Sequence, residues 1–276
     1  MGNIVRFELS RALDGVRFRI SVAVGLVISI LHFSTNVLPL VKWLDAWQGD
    51  PFLTPHSAYG HWIGMDSSTV WPVLLFMVLP LLATLPAADS YWWDRDSGYF
   101  YQIRLRCEIW QYKAAKAAAT FVSAFLVTII PLAADFMLTS ATLPCVAPEP
   151  ASMLYSLSDR SMYGTWFYQY PMLYTLAYIL FDSIFIAMWT TLALSLSRWQ
   201  NQQFQVILTP FLIYLIVYFI GVWSGASSVS PIAFLLPFQP VTNLSPGIPC
   251  VFLIGLLVLL VAFYFTPWRS NDEIST

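Results

Sequence analysis

The chain has 276 residues, of which 58% are hydrophobic and only 10% carry a charged side chain. These polar side chains are too few to cover a water-soluble globule of this size, so much of the surface is predicted to face lipid. The formal net charge of −2 argues against a nucleic-acid partner.

The N-terminal segment, residues 1–17, is predicted to form an amphipathic helix on the inner membrane surface. Its apolar side chains recur at helical spacing, and most of its arginines fall elsewhere on the helical wheel. The apolar run that follows is longer than the core of a signal peptide, so we interpret it as a retained first span.

Six apolar segments are predicted to cross the bilayer, because a spanning helix needs about 20 mostly apolar residues. In chain order they cover approximately residues 18–37, 70–88, 113–138, 171–197, 204–222 and 250–265. The predicted fold is therefore all-α: one transmembrane domain over residues 1–276.

The connections between the spans differ in character. Residues 40–68 are rich in tryptophan and charge, which predicts a small ordered loop at the outer interface. The apolar insert Ile232–Leu236, bounded by Pro231 and Pro237, is too short to span, which predicts a re-entrant or interfacial helix before the sixth span.

The basic residues predict the orientation, because Lys and Arg near helix ends accumulate on the cytoplasmic side. Six spans with both termini inside leave only Lys42 and Arg160 outside. The basic residues then on the inner side are Arg6, Arg11, Arg17, Arg19, Arg95, Arg104, Arg106, Lys113, Lys116, Arg198 and Arg269.

Catalytic motifs are absent from the sequence. It contains no HExxH, GxSxG or Walker-type phosphate loop, and its three cysteines have neither CxxC nor Cys/His ligand spacing. We therefore expect a non-catalytic chain without a bound metal or cofactor, whose energy, if its work is energy-driven, comes from another chain.

The segment between the second and third spans, residues 89–112, combines charges of both signs with a dense row of aromatic side chains. Two interpretations follow. The segment could rest on the inner leaflet, or it could be a docking helix whose aromatic side chains fill a groove of a cytoplasmic partner while its charges set the register.

In this segment the chain resembles the membrane subunit of type-2 ATP-binding-cassette transporters, the class related to G-type exporters. The resemblance rests on the interfacial helix, the six spans, the element before the sixth span and an acidic and glycine motif followed by basic residues. The matching residues are Asp94, Arg95, Asp96, Gly98, Tyr99, Arg104, Arg106 and Lys116. The Leu-Pro-x-x-Arg-like run that usually follows the glycine is replaced by Arg-Leu-Arg-Cys-Glu at 104–108.

The resemblance implies a permease that exports a peptide, lipid or hydrophobic compound from a bacterial cytoplasmic membrane. Residues 89–112 would contain a coupling helix seated in a cleft of an ATPase subunit. The implied assembly has two such ATPases, which hold the ATP and Mg, and a second, identical or homologous permease in the bilayer.

Two acidic residues inside predicted spans bear on the mechanism. Asp182 lies near the middle of the fourth span, where a charge costs at least a few kcal/mol, so it marks either a transport pathway or a carboxyl hydrogen-bonded to Ser183, Thr190 or another helix. Asp135, nearer the outer end of the third span, is predicted to reach water.

Two other functional classes stay open. The chain could be an ATP-independent membrane protein, such as a channel-like or assembly factor, since six spans and a basic inner face are common to many membrane proteins. An intramembrane enzyme is the third class, and it would require polar groups converging inside the spans.

Overall fold

A computed structural model describes residues 2–47, 56–150, 155, 157, 161–241 and 244–265, with the side chains of 43–47, 104 and 263–265 outside that description. The structure is all-helical: 78% of the described residues are in helices, and they contain no strand. Within the described ranges, four helical stretches are long and apolar enough to cross a membrane. They are Val16–Lys42, Ile109–Thr142, Pro171–Trp199 and Gln203–Trp223.

The chain begins with helix α1, Gly2–Leu13, which turns at Gly15 into α2, Val16–His32. Helix α1 packs on a later helix through Glu8 and Ala12, its two buried residues. Beyond α2 the chain does not leave the helix near residue 37, because a π-helical stretch, Phe33–Val37, leads into α3, Leu38–Trp47. Pro39 lies inside this continuous helix, two residues after the π-helical stretch, and a local π adjustment of this kind helps a helix to accommodate the missing N–H of a proline.

A short helix, α4 (Ala58–His61), precedes α5, Trp71–Thr84. The α4 region is ordered and buried: Trp62 and Ile63 are fully inaccessible and belong to the main hydrophobic core. The described part of the predicted outer loop is therefore packed onto the bundle. Helix α5 is apolar but has only 14 residues.

Two short helices, α6 (Ser90–Asp96) and α7 (Tyr99–Arg104), lead into α8, the 34-residue helix Ile109–Thr142. The turn between α6 and α7 is formed by Gly98, whose φ of 72° lies in the left-handed region. The predicted coupling segment thus contains two short helices joined at Gly98 rather than one helix.

The second half of the chain contains α9 (Gly164–Gln169), α10 (Pro171–Leu196) and α11 (Gln203–Trp223). Helix α10 packs against α5, α8, α9 and α11, which puts it inside the bundle. The turn after α10 is short, so α10 and α11 form the tight hairpin that their spacing predicts.

The last elements are α12, Pro231–Leu235, and α13, Gly247–Phe265. Every residue of α12 is buried, and the Phe234 ring lies 5.4 Å from that of Phe185 in α10. The predicted element before the last helix is therefore a single helical turn inside the core. The Gly247–Ala262 part of α13 is apolar but shorter than the four long stretches.

The bundle has two polar ends. In α2, Arg17 and His32 are separated by about 22 Å at 1.5 Å per residue, and in α8 Lys116 and Asp135 are separated by about 28 Å. We call the end with Arg17 and Lys116 the basic end. The end with His32 and Asp135 is the histidine end.

Candidate coupling site at the basic end

The predicted coupling motif divides into residues that hold the segment in place and residues that it exposes. Asp94 is the centre of the first group, since its side chain is only 1% exposed although it lies in a short helix at the end of the bundle. It accepts hydrogen bonds from Arg11 Nη1 (2.7 Å) and Tyr112 OH (2.6 Å), and Lys116 Nζ lies 2.7 Å from Oδ2.

This cluster joins three elements: Arg11 belongs to α1, Asp94 to α6, and Lys116 to α8. Lys116, itself 3% exposed, also pairs with Glu8 Oε2 at 2.9 Å. Burial alone would raise the pKa of Asp94, but the charge of Lys116 and the hydrogen bonds from Lys116, Tyr112 and Arg11 lower it below its ordinary value. The carboxylate therefore stays ionised and keeps its cations in place.

Arg95 also forms hydrogen bonds within the protein. Its two Nη atoms donate to the carbonyl oxygens of Arg198 (2.9 Å) and Gln200 (2.7 Å), which lie in the turn between α10 and α11. A second ion pair, Arg17 with Asp89 at 2.5 Å, fixes the start of the segment to α2. The segment is thus connected to α1, α2 and α8 and to the turn between α10 and α11.

The aromatic side chains of the segment follow the same division. Tyr91, Phe100 and Tyr112 form a small buried core, with the Phe100 ring 5.8 Å from Tyr91 and 5.9 Å from Tyr112. Trp93 and Tyr101 face outward and are 41% and 46% exposed. The segment therefore has a packed inner face and an apolar outer face.

The outer face also presents charge. Asp96 and Arg106 are exposed, and Leu105 between the two is 90% exposed. Gly98 and Tyr99 are partly buried at the turn, and the Arg104 side chain lies outside the described residues. Of the eight predicted coupling residues, Asp94, Arg95 and Lys116 thus serve the internal framework, and Asp96 and Arg106 are free to meet a partner.

A second polar cluster at the histidine end was not predicted from the sequence. His32 is fully buried, with Nδ1 2.8 Å from Asp135 Oδ1 and Nε2 3.2 Å from Asp66 Oδ2. Asp66 also accepts hydrogen bonds from Asn36, Ser68 and Thr69. The prediction that Asp135 reaches water is wrong, because its side chain is inaccessible and its Oδ2 accepts the Ile63 N–H at 2.6 Å.

Asp182 lies fully buried in the middle of α10, and neither of its oxygens has a hydrogen-bond partner among the described residues. The expected partners are not used: Ser183 donates to the Ile179 carbonyl, and Thr190 Oγ1 also lacks a partner there. Tyr178, one turn earlier on the same helix, and Tyr214 of α11 lie near enough to interact with it electrostatically. Within the described part of the chain, this carboxyl is therefore a buried polar group without a hydrogen bond.

The histidine-end cluster could have been suspected from a histidine at the end of an apolar span, a type of residue that is costly in lipid without a partner. Glu8 gave no comparable signal, because a glutamate in an interfacial helix is ordinary. No family model, curated protein or solved structure matches this chain.

Proposed function

We propose that the chain is the permease subunit of an ATP-driven transporter of the type-2 ATP-binding-cassette class. Its cytoplasmic segment, residues 89–112, docks on a separate ATPase subunit. The observation that supports this most is the division of the segment into an outer face of exposed aromatic and charged groups and an inner face held by buried ion pairs. A docking element that transmits movement needs an exposed face to bind its partner and an inner face attached firmly to the bundle.

The proposed transmission runs through the basic-end cluster. A displacement of α6 by a partner would act on α1 through Arg11 and on α8 through Lys116, both within 2.7 Å of Asp94. Arg95 would pass the same displacement to the α10–α11 turn. ATP can shift the permease between its two conformations only if the closed ATPase pair binds residues 89–112 with a different affinity in each conformation.

The proposal includes six spans with both termini in the cytoplasm. The four long stretches supply four spans, and α5 and α13 supply the second and the sixth. Their short apolar lengths are compatible with spanning when flanking residues extend the crossing or the bilayer thins locally. With this topology the basic end lies in the cytoplasm, as the distribution of lysine and arginine predicts.

By the same resemblance, the functional unit contains two ATPases with their ATP and Mg and a second copy or homologue of this permease. The membrane is the cytoplasmic membrane of a bacterium, and the cargo is a peptide, lipid or hydrophobic compound. The exposed apolar faces of α2, α11 and α13 offer area for a second permease or for lipid.

An ATP-independent, channel-like role is the second candidate. Asp182 in α10, whose oxygens have no hydrogen-bond partner in the described part of the chain, favours it, since an ionisable group inside a span often belongs to an ion pathway. Loss of transport in Asp182→Asn, without a change in stability in detergent, would support a pathway through α10.

The test of the first proposal is purification of the tagged full chain from its native membrane in mild detergent, followed by mass spectrometry of bound proteins and an ATPase assay. We expect a stoichiometric ATP-binding chain with turnover. Arg106→Glu and Leu105→Glu should each abolish copurification of this ATP-binding chain. Arg19→Glu changes an exposed arginine of α2 outside the segment and should leave the copurification unchanged.

Both segment variants should insert into the membrane normally, because Leu105 and Arg106 lie at the surface. Reproducible purification of the intact chain without an ATP-binding partner would favour the ATP-independent role. Undiminished capture of the ATPase by both variants would refute the assignment of the docking face.

A further inference from the structure

A cavity of about 360 Å³ lies at the basic end, between the α1–α2 turn and the start of α6. Its volume falls within the range of about 300–1,000 Å³ that is typical of small-molecule sites. The polar side chains in its lining are Glu8, Arg11, Arg17, Asp89 and Ser90. The cavity lies beside the proposed docking face and shares none of the exposed groups assigned to an ATPase except Trp93.

The charges in the lining balance, with two arginines against two carboxylates. The arginines are 40% and 43% exposed, and each uses one Nη1 atom for its ion pair, with Asp94 or Asp89. A guanidinium has five N–H donors, so both keep donors for an anionic group such as a phosphate. The balance of charge favours a ligand that carries one positive and one negative group.

Two polar atoms in the lining have no hydrogen-bond partner among the described residues: Glu8 Oε1 and Ser90 Oγ. Glu8 is only 3% exposed, and Lys116 satisfies its other oxygen alone. A buried acceptor without a donor is costly, and a charged one more so. A primary ammonium would supply the missing N–H donors, whereas a quaternary ammonium has none.

The cavity continues into an apolar stripe on α2. Val16 lines the cavity, and with Ile20 and Val24 it forms an exposed row at four-residue spacing; the three are 66%, 51% and 37% exposed. Because α2 belongs to a candidate span, this row would face acyl chains. A ligand with apolar chains attached to its polar head therefore fits better than a free phosphate ester.

We propose that this cavity binds the headgroup of a phosphoethanolamine lipid. The phosphate lies against Arg11 and Arg17, the primary ammonium lies by Glu8, and the acyl chains follow Val16, Ile20 and Val24. Ser90 Oγ supplies a further donor to the phosphate. The inference depends on the membrane setting of α2 and not on an ATPase partner, so either proposal can fail without the other.

The test is native mass spectrometry of the delipidated full chain in detergent, titrated with four probes. The probes are dioleoyl phosphatidylethanolamine, phosphatidylcholine and phosphatidylglycerol, and the soluble headgroup compound glycerophosphoethanolamine. We expect phosphatidylethanolamine to bind most tightly. Phosphatidylcholine should bind about tenfold more weakly, as expected for loss of hydrogen bonds to a charged group.

Three variants locate the site. Arg17→Gln should weaken phosphatidylethanolamine binding by about tenfold, while the matched Arg19→Gln, which lies outside the cavity, should leave it unchanged. Ser90→Ala breaks no side-chain hydrogen bond that the described residues make, so it should fold normally and still weaken binding by roughly threefold. Glu8→Gln should abolish the preference for phosphatidylethanolamine over phosphatidylcholine.

Equal binding of phosphatidylethanolamine and phosphatidylcholine by the unmodified chain would overturn the proposal. Wild-type affinity in both Arg17→Gln and Ser90→Ala would do the same, because the headgroup would then lie elsewhere. Glycerophosphoethanolamine binding as tightly as the intact lipid would reject a lipid as the occupant. Thermal unfolding of each variant shows whether weak binding reflects a lost fold.

Discussion

At the residue scale, Lys116 compensates two buried carboxylates, those of Glu8 and Asp94. Replacing it by methionine leaves both without their shared cation, because Glu8 has no other hydrogen-bond partner among the described residues. Breaking a buried pair by removing one partner costs about 3–5 kcal/mol. We therefore expect Lys116→Met to lower the free energy of unfolding in detergent by that amount.

The control for this prediction is Arg6→Met, which removes an exposed cation of α1 and should change the stability by less than about 0.5 kcal/mol. Equal stabilities of Lys116→Met and Arg6→Met would mean that the basic-end cluster contributes nothing to folding. That result would also weaken the proposed transmission from α6 to α8.

A pH dependence follows from the histidine pair near α4. His56 Nδ1 and His61 Nε2 lie 2.9 Å apart. Burial, with the neighbouring His56 as a second cause, lowers the pKa of His61 from 6.5 to about 4. Between pH 6.5 and about pH 4, His61 is therefore protonated in the unfolded chain but not in the folded chain. The free energy of unfolding consequently falls as the pH drops through this range.

We expect acidification from pH 7 to pH 5 to lower the free energy of unfolding by about 1–2 kcal/mol, measured by chemical unfolding in detergent. His61→Gln should reduce this dependence, since glutamine does not titrate. Asp66 affects the free energy of unfolding only at lower pH. Burial would raise its pKa, but hydrogen bonds from His32, Ser68 and Thr69 lower it, so its contribution is lost only in strong acid. An unchanged pH profile in His61→Gln would rule out the histidine pair as the cause.

At the scale of elements, α2 and α8 cross closely at Gly25 and Pro131. A Cβ on Gly25 would lie 2.5 Å from Pro131 Cγ, nearer than carbon atoms approach. Ser29, one turn later, donates to the Pro131 carbonyl at 3.0 Å. The small residue and the rigid ring therefore set the distance between the two helices.

Gly25→Ala should force these helices apart and destabilise the protein by about 1–3 kcal/mol, the usual cost of overpacking. Gly255→Ala in α13 is the matched control, since its Cβ would meet open space. That substitution should be neutral or stabilising by up to about 1 kcal/mol. Thermal unfolding of both variants in the same detergent compares them, and equal midpoints would contradict the close crossing.

At the scale of the whole molecule, the proposed topology puts the basic end and the histidine end on opposite sides of the membrane. Two single-cysteine variants can report this once the other native cysteines are replaced by serine, because Cys250 is also exposed and Cys107 is partly exposed. One variant keeps native Cys145, which is exposed, and the other lacks Cys145 and carries Leu105→Cys, at a position that is 90% exposed. In sealed cells a membrane-impermeant maleimide should label Cys145 and should label Leu105→Cys only after permeabilisation. The reverse pattern would invert the orientation, and labelling of both in sealed cells would refute the separation of the two ends.

Much of the helical framework could be predicted from local sequence. The fourth and fifth apolar segments, predicted over 171–197 and 204–222, correspond to helices Pro171–Leu196 and Gln203–Trp223. The apolar length of a segment is a local property and so can be read without partners. The end of the first segment could not be read this way: it was predicted at residue 37, and the π-helical stretch at 33–37 instead continues the helix into α3.

The polar clusters were decided by tertiary structure alone. His32 and Asp135 are 103 residues apart in the chain, and Arg11 and Asp94 are 83 apart, yet each pair lies within hydrogen-bond distance. A charged residue in the sequence shows only that burial would be costly; the partner that offsets the cost depends on how the helices pack. The sequence by itself determined where the chain is helical and apolar, since those properties are local. Packing alone decided which of its charges are joined inside the bundle and which remain on the surface.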